Sequence, residues 1–200
     1  MSKQITIVSG LPRSGTSAMM QMLVAGGLPA LTDNIRAADI DNPKGYFELD
    51  VVQKIADDQT WLPNAQGKVF KLVSPLLKNL PNNFDYQIIF MRRDLHEIIA
   101  SQAKMIARRQ SEGSAMDEER MIRMYEQHLK DVYTWMGQQR KNVRSLTVRY
   151  ADMISSAEDV ANKVADFLQI ELDNAKMIGT VDSGLYRNKA TAGESNQSAA

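Results

Sequence analysis

The stretch QITIVSGLPRSGTSAMMQML, residues 4–23, limits the possible folds more than any other part of the chain. Ile5 to Ser9 is an apolar run that reads as a strand. Gly10 and Gly15 punctuate the turn that follows. Met19, Met20, Met22 and Leu23 then form a helical stripe, which ends at Gly26-Gly27. A strand, a glycine turn and a helix in this order present backbone amides and a helix N-terminus to one point. The motif predicts an anion-binding loop at the edge of an α/β sheet.

The rest of the chain supports such a sheet. Strand patterns recur at Lys68–Val73, Gln87–Met91 and Leu146–Val148. The runs at Ile5–Ser9 and Gln87–Met91 are almost continuously apolar, as expected of strands covered on both faces. Helical patterns lie at Thr16–Ala25, Glu48–Asp58, Leu95–Arg109, Met116–Arg140 and Ala157–Leu168. Ser114 and Ser156 stand where the last two of these would be capped. Alternating strands and helices predict a three-layer αβα fold with a mostly parallel central sheet and phosphate-loop nucleotide-binding architecture. Residues 1–189 read as one domain and the small, polar tail 190–200 as disordered. Leu28–Phe47, with Pro29, Pro43 and Gly45, reads as a long loop of the kind that walls a substrate site.

Composition excludes several function classes. The 24 basic and 24 acidic residues balance, which argues against a nucleic-acid partner. With no cysteine, disulfides, thiolate metal sites and cysteine nucleophiles are excluded. No apolar run is long enough for a membrane span, and the N-terminus enters a strand almost at once, so a cytoplasmic domain is expected.

The loop departs from the triphosphate-binding form, G-x-x-x-x-G-K-S/T. Thr16 occupies the lysine position, and the positive charge has moved to Arg13. The strand ending at Met91 runs into Arg92-Arg93, where a magnesium-binding carboxylate would be expected. Two arginines repel a divalent cation and attract a second phosphate. The chain therefore offers two anion sites and no metal site.

These residues resemble the sulfotransferase family, which uses 3′-phosphoadenosine 5′-phosphosulfate. Pro12-Arg13-Ser14-Gly15-Thr16-Ser17 is similar to the family loop P-K/R-S-G-T-S/T for the 5′-phosphosulfate. Its arginine form looks more like the bacterial and tyrosylprotein branches. Arg93 and Ser101, eight residues apart, resemble the pair that binds the 3′-phosphate. LTVRYADMISSAEDVANKVADFL resembles the family's late strand, turn and closing helix. The resemblance implies in-line transfer of a sulfuryl group without a metal, with Arg13, the loop amides and Lys71 countering the developing charge. Lys71 lies in VFKLVSPLLKNLP, similar to the strand whose lysine faces the leaving group.

Where the cytosolic branch has a histidine base, this chain has Val73. His96 and His128 fall within helical patterns and read as structural or solvated. Glu48 in DNPKGYFELD is then the expected base, with Asp50 close by. Ala18 replaces a tryptophan that stacks near adenine in that branch. GLYRNK is similar to the family's basic R-K-G segment, which implies that Arg187 closes over the 3′-phosphate; a mobile basic tail is the other reading. Trp61 and Trp135 read as core or subunit contacts. The implied acceptor is a small molecule, glycan or lipid bearing a hydroxyl or amine. The chain is shorter than typical members of that family, which implies an acceptor pocket that is open or completed by a homo-oligomer. Two other readings stay open: a small-molecule kinase using Mg-ATP, and a non-catalytic nucleotide-binding module.

Overall fold

The computed structural model describes residues 4–33, 47–108, 117–138 and 141–182. Four strands form its sheet: β1 (Gln4–Gly10), β2 (Val69–Val73), β3 (Asp85–Arg92) and β4 (Val143–Arg149). Their order is β2-β1-β3-β4, and each neighbouring pair is parallel. Gly10 lies in register with Val73 on one side and Met91 on the other, so β1, β2 and β3 end at a common edge. Ligands of open parallel sheets bind beyond this edge.

The apolar strands split their side chains between two cores. Ile5, Ile7, Tyr86, Ile88 and Phe90 face one core with Val132 and Met136 of α3 (Glu118–Gly137). Val8, Ile89 and Met91 face the other. There they meet Met19, Met20, Met22 and Leu23 of α1 (Thr16–Ala25). α4 (Tyr150–Ser155), α5 (Ala157–Leu168) and α6 (Asn174–Gly179) complete that layer. Helices on both sheet faces make the expected three-layer α/β arrangement. α2 (Leu95–Arg108) follows β3. Its His96 pairs with Glu118, and its Gln102 with Tyr125, so α2 and α3 run side by side in one direction. α3 therefore starts back at the ligand edge.

Several expectations need correction. The pattern at Glu48–Asp58 is a 3₁₀ turn over Asp50–Lys54. Val52 and Ile55 are buried from it, but this short spacing suits three residues per turn as well as 3.6. The turn after β4 is the helix α4. Ser156 makes no side-chain cap, because it is the junction of two helices. Its amide donates to Asp152 at 2.8 Å and its carbonyl accepts from Val160 at 3.1 Å. Ser114, Arg187 and the tail 190–200 lie outside the described residues. Trp61 meets Phe70 edge-on at 5.1 Å between centroids, as a residue at the margin of the core. No described helix is long and apolar enough to cross a membrane.

Candidate active site

The loop between β1 and α1 is shaped by close approach. Gly15 has φ +100 and Gly10 φ +151, both in the region that favours glycine. A Cβ on Gly15 would overlap the Tyr150 ring, 2.9 Å from Cε2 and nearer still to Cδ2. A Cβ on Gly10 would lie 2.7 Å from the Met91 carbonyl. The loop is thus pressed against β3 on one side and α4 on the other. Arg13 itself is left-handed at φ 73, a costly conformation for a residue with a Cβ. Ser14 closes the turn: its amide donates to the Leu11 carbonyl at 3.1 Å, and its hydroxyl is buried with no hydrogen-bond partner. Thr16 and Ser17 open α1, at the positive end of its dipole.

Arg13, Arg93 and Ser101, distant in sequence, meet here. Arg13 Nε donates to Ser101 Oγ at 3.0 Å, and Arg93 Nη1 donates to the Arg13 carbonyl at 3.2 Å. Pro12 contributes a second carbonyl, 3.4 Å from the Gln102 amide nitrogen. Tyr125 fixes that amide by donating to its oxygen at 2.9 Å. Drawing these carbonyls toward α2 orients the loop. The Tyr150 ring lies 4.7 Å from the Arg93 guanidinium carbon. Burial raises the Tyr150 hydroxyl above its ordinary pKa, against the pull of Arg93. Gln102, Glu97 and Tyr150 were not singled out from sequence. Asp94-x-x-Glu97 has the spacing of a helix-capping pair, which was the one available sign of Glu97.

Lys71 and Glu48 form a second group. Lys71 Nζ stands 3.8 Å from Glu48 Oε1, with the lysine largely buried. The Glu48 carbonyl accepts from Thr32 Oγ1 at 2.8 Å and from the Asp33 amide at 3.2 Å. Asp33 Oδ2 in turn accepts from the Asp50 amide at 2.6 Å. Phe47, just before Glu48, is left-handed at φ 50 while its ring packs on the α1-side core. Strain of this kind persists only where neighbours over-determine the backbone, and here they fix a carboxylate beside a lysine. Val73 closes β2, and no imidazole stands in its place.

His128 sits on the opposite face, with Nε2 2.8 Å from the hydroxyl of buried Ser74. Burial is the main cause that lowers its pKa, Lys78 adds to it, and Asp131 opposes it. The folded state thus takes up this proton less readily than the unfolded chain. His128 costs no stability at high pH and costs more as pH falls below the ordinary imidazole range. A His128→Gln variant is expected to lose less stability than wild type between about pH 7.5 and about pH 5.5, read as urea midpoints. Equal losses would refute this.

A parallel sheet whose first strand ends in a tight glycine loop, faced by Arg93 just beyond the end of neighbouring β3, defines a phosphate-loop-like α/β fold with arginines at the loop and no lysine in it. Residues 42–174 match the model of the Sulfotransferase family, about two thirds of the chain, and the chain belongs to that family. The match begins beyond residues 10–17, so the loop is a separate observation. Among solved structures, the chain is similar to a sulfotransferase from Mycobacterium avium, with a TM-score of 0.52 and 14% identity, covering 95% of this chain and 69% of that one. The sulfotransferase domain from the curacin biosynthetic pathway gives 0.51 and 14%, covering 90% and 78%. A mouse sulfotransferase complexed with PAP gives 0.50 and 13%, covering 96% and 68%. At such identities the likeness describes the fold. No curated protein sequence matches the chain.

Proposed function

We propose that this sulfotransferase uses 3′-phosphoadenosine 5′-phosphosulfate and sulfates a hydroxyl or amine on a small-molecule, glycan or lipid acceptor. The observation that carries this reading is the hydrogen bond from Arg93 to the Arg13 carbonyl, which brings a second cation to the glycine loop. The loop suits a phosphate because glycine lets its backbone approach closely at Gly10 and Gly15. The donor would supply an activated sulfuryl group and a phosphate leaving group. Arg13, with the amides and hydroxyls of Ser14, Gly15, Thr16 and Ser17, would hold its 5′ end. Arg93 and Ser101, with Arg187 from the C-terminal segment, would hold its 3′-phosphate. Lys71 would counter charge at the leaving oxygen, and Glu48 would take the acceptor's proton.

This reading assigns charge compensation to side chains, with no metal. It is supported by arginines where a metal carboxylate would stand, and by Asp94 being engaged in capping α2. Adenosine 3′,5′-bisphosphate should raise the melting temperature without magnesium. At a hundredfold excess over Kd the stabilisation is about 2.7 kcal/mol, a shift of several degrees for a chain of this size. A rise seen only with Mg-ATP would instead identify a kinase. No rise with either nucleotide would end the donor reading.

A further inference from the structure

Glu97, the Arg13 carbonyl and the Tyr150 ring all bear on Arg93. Its Nε lies 2.8 Å from Glu97 Oε2, Nη1 reaches the Arg13 carbonyl at 3.2 Å, and its carbon stands 4.7 Å from the Tyr150 ring centroid. Glu97 is 4% exposed, and the Arg93 side chain 9%. A buried carboxylate is costly unless paired, so this one is tied to its guanidinium.

The location of Glu97 makes the pairing informative. It is the third residue of α2, and Asp94 caps that helix, accepting from the amides of His96 at 2.9 Å and Glu97 at 3.2 Å. A glutamate at this spacing ordinarily turns back to the amide of the capping residue. Here the carboxylate meets Arg93. A guanidinium is planar with five N–H donors, so fixing Nε and Nη1 fixes the plane and the directions of all the others. Ser101, one helical turn beyond Glu97, holds Arg13 in the same way. One face of α2 therefore supports both arginines.

We propose that Glu97 is a positioning residue that aims Arg93 at the 3′-phosphate of the nucleotide, and so sets the preference for 3′-phosphorylated ligands. This rests on the donor reading above. Without Glu97, Nε loses the charged partner that sets the plane of the guanidinium, and the group is freer to turn away from the site. The 5′ end of the nucleotide, held by the loop, does not depend on it to the same degree. An ion pair serving stability alone would weaken the fold without changing which nucleotide is preferred.

The test compares adenosine 3′,5′-bisphosphate with adenosine 5′-phosphate by calorimetric titration of the full chain. Wild type should prefer the bisphosphate by at least about tenfold, the scale of a hydrogen-bonded charged contact. Glu97→Ala should raise the bisphosphate Kd about tenfold or more and leave the 5′-phosphate Kd within about twofold. Glu97→Gln retains an oxygen for Nε and should restore the bisphosphate Kd to within about threefold of wild type. An unchanged preference in Glu97→Ala, equal weakening of both ligands, or a Gln variant as weak as Ala would each overturn the proposal. If Glu97→Ala fails to fold, Glu97→Asp replaces it. That variant keeps the charge but falls one methylene short, so it should lose part of the preference, and full preference would overturn the proposal. A wild type with no preference would remove the donor reading, and this inference with it, before any variant is made.

Discussion

Replacing Gly15 with alanine should abolish binding of adenosine 3′,5′-bisphosphate and lower the melting temperature by several degrees or more. Two costs add. At φ +100 an alanine is strained by about 1–2 kcal/mol. The added methyl also enters the Tyr150 ring, which is buried between the loop and the α1-side core, and overpacking costs about 1–3 kcal/mol more. The ring cannot retreat without disturbing Arg93, whose guanidinium lies against it. Gly67 supplies the control. It has φ +70 but open space where a Cβ would go, so Gly67→Ala should show the backbone cost alone, about 1 kcal/mol. Thermal melts and nucleotide titration of both variants decide the matter. If Gly15→Ala melts like Gly67→Ala and still binds, the loop is not packed as described.

Glu48→Gln should cut sulfuryl transfer by about 10²- to 10⁴-fold while leaving the bisphosphate Kd within about twofold of wild type. Glutamine preserves the size of the side chain and the carbonyl contacts to Thr32 and Asp33, which belong to the backbone. What it removes is the carboxylate beside Lys71, the proposed proton acceptor. Asp50→Asn is the matched control, because the side chain of Asp50 is exposed and only its amide is held by Asp33. Transfer of labelled sulfate to an acceptor panel gives the rates. If Glu48→Gln turns over normally and Asp50→Asn does not, the base is Asp50. Full activity in both would place the base elsewhere.

The centre of the sheet was legible because β1 and β3 are buried on both faces. The runs at β1 and β3 are apolar beyond the needs of one core. α1, α2, α3 and α5 announced themselves by stripes and by Gly26; α1 and α5 run over the residues their patterns mark, while α3 is shorter than its pattern at both ends. The short pieces were hidden. Five residues at Asp50–Lys54 cannot distinguish a period of 3.0 from one of 3.6, and α4 and α6 have six residues each. At the site, the glycine turn and Arg92-Arg93 could be read because they are local. Lys71 and Glu48 were each legible from local segments, but their contact depends on the left-handed backbone of Phe47, which leaves no sequence pattern. The spacing of Glu97 signalled a helix cap, and only the fold brings its carboxylate to Arg93.

The ties among Thr32, Asp33, Glu48 and Asp50 bring the chain back, at residue 48, to the place it left at residue 33. These hydrogen bonds pin the two points of the backbone together. Lengthening a closed loop costs little free energy, since the penalty grows only with the logarithm of its length. The backbone that carries Glu48 is therefore tied to residues 32, 33 and 50, whatever the length of chain between 33 and 48.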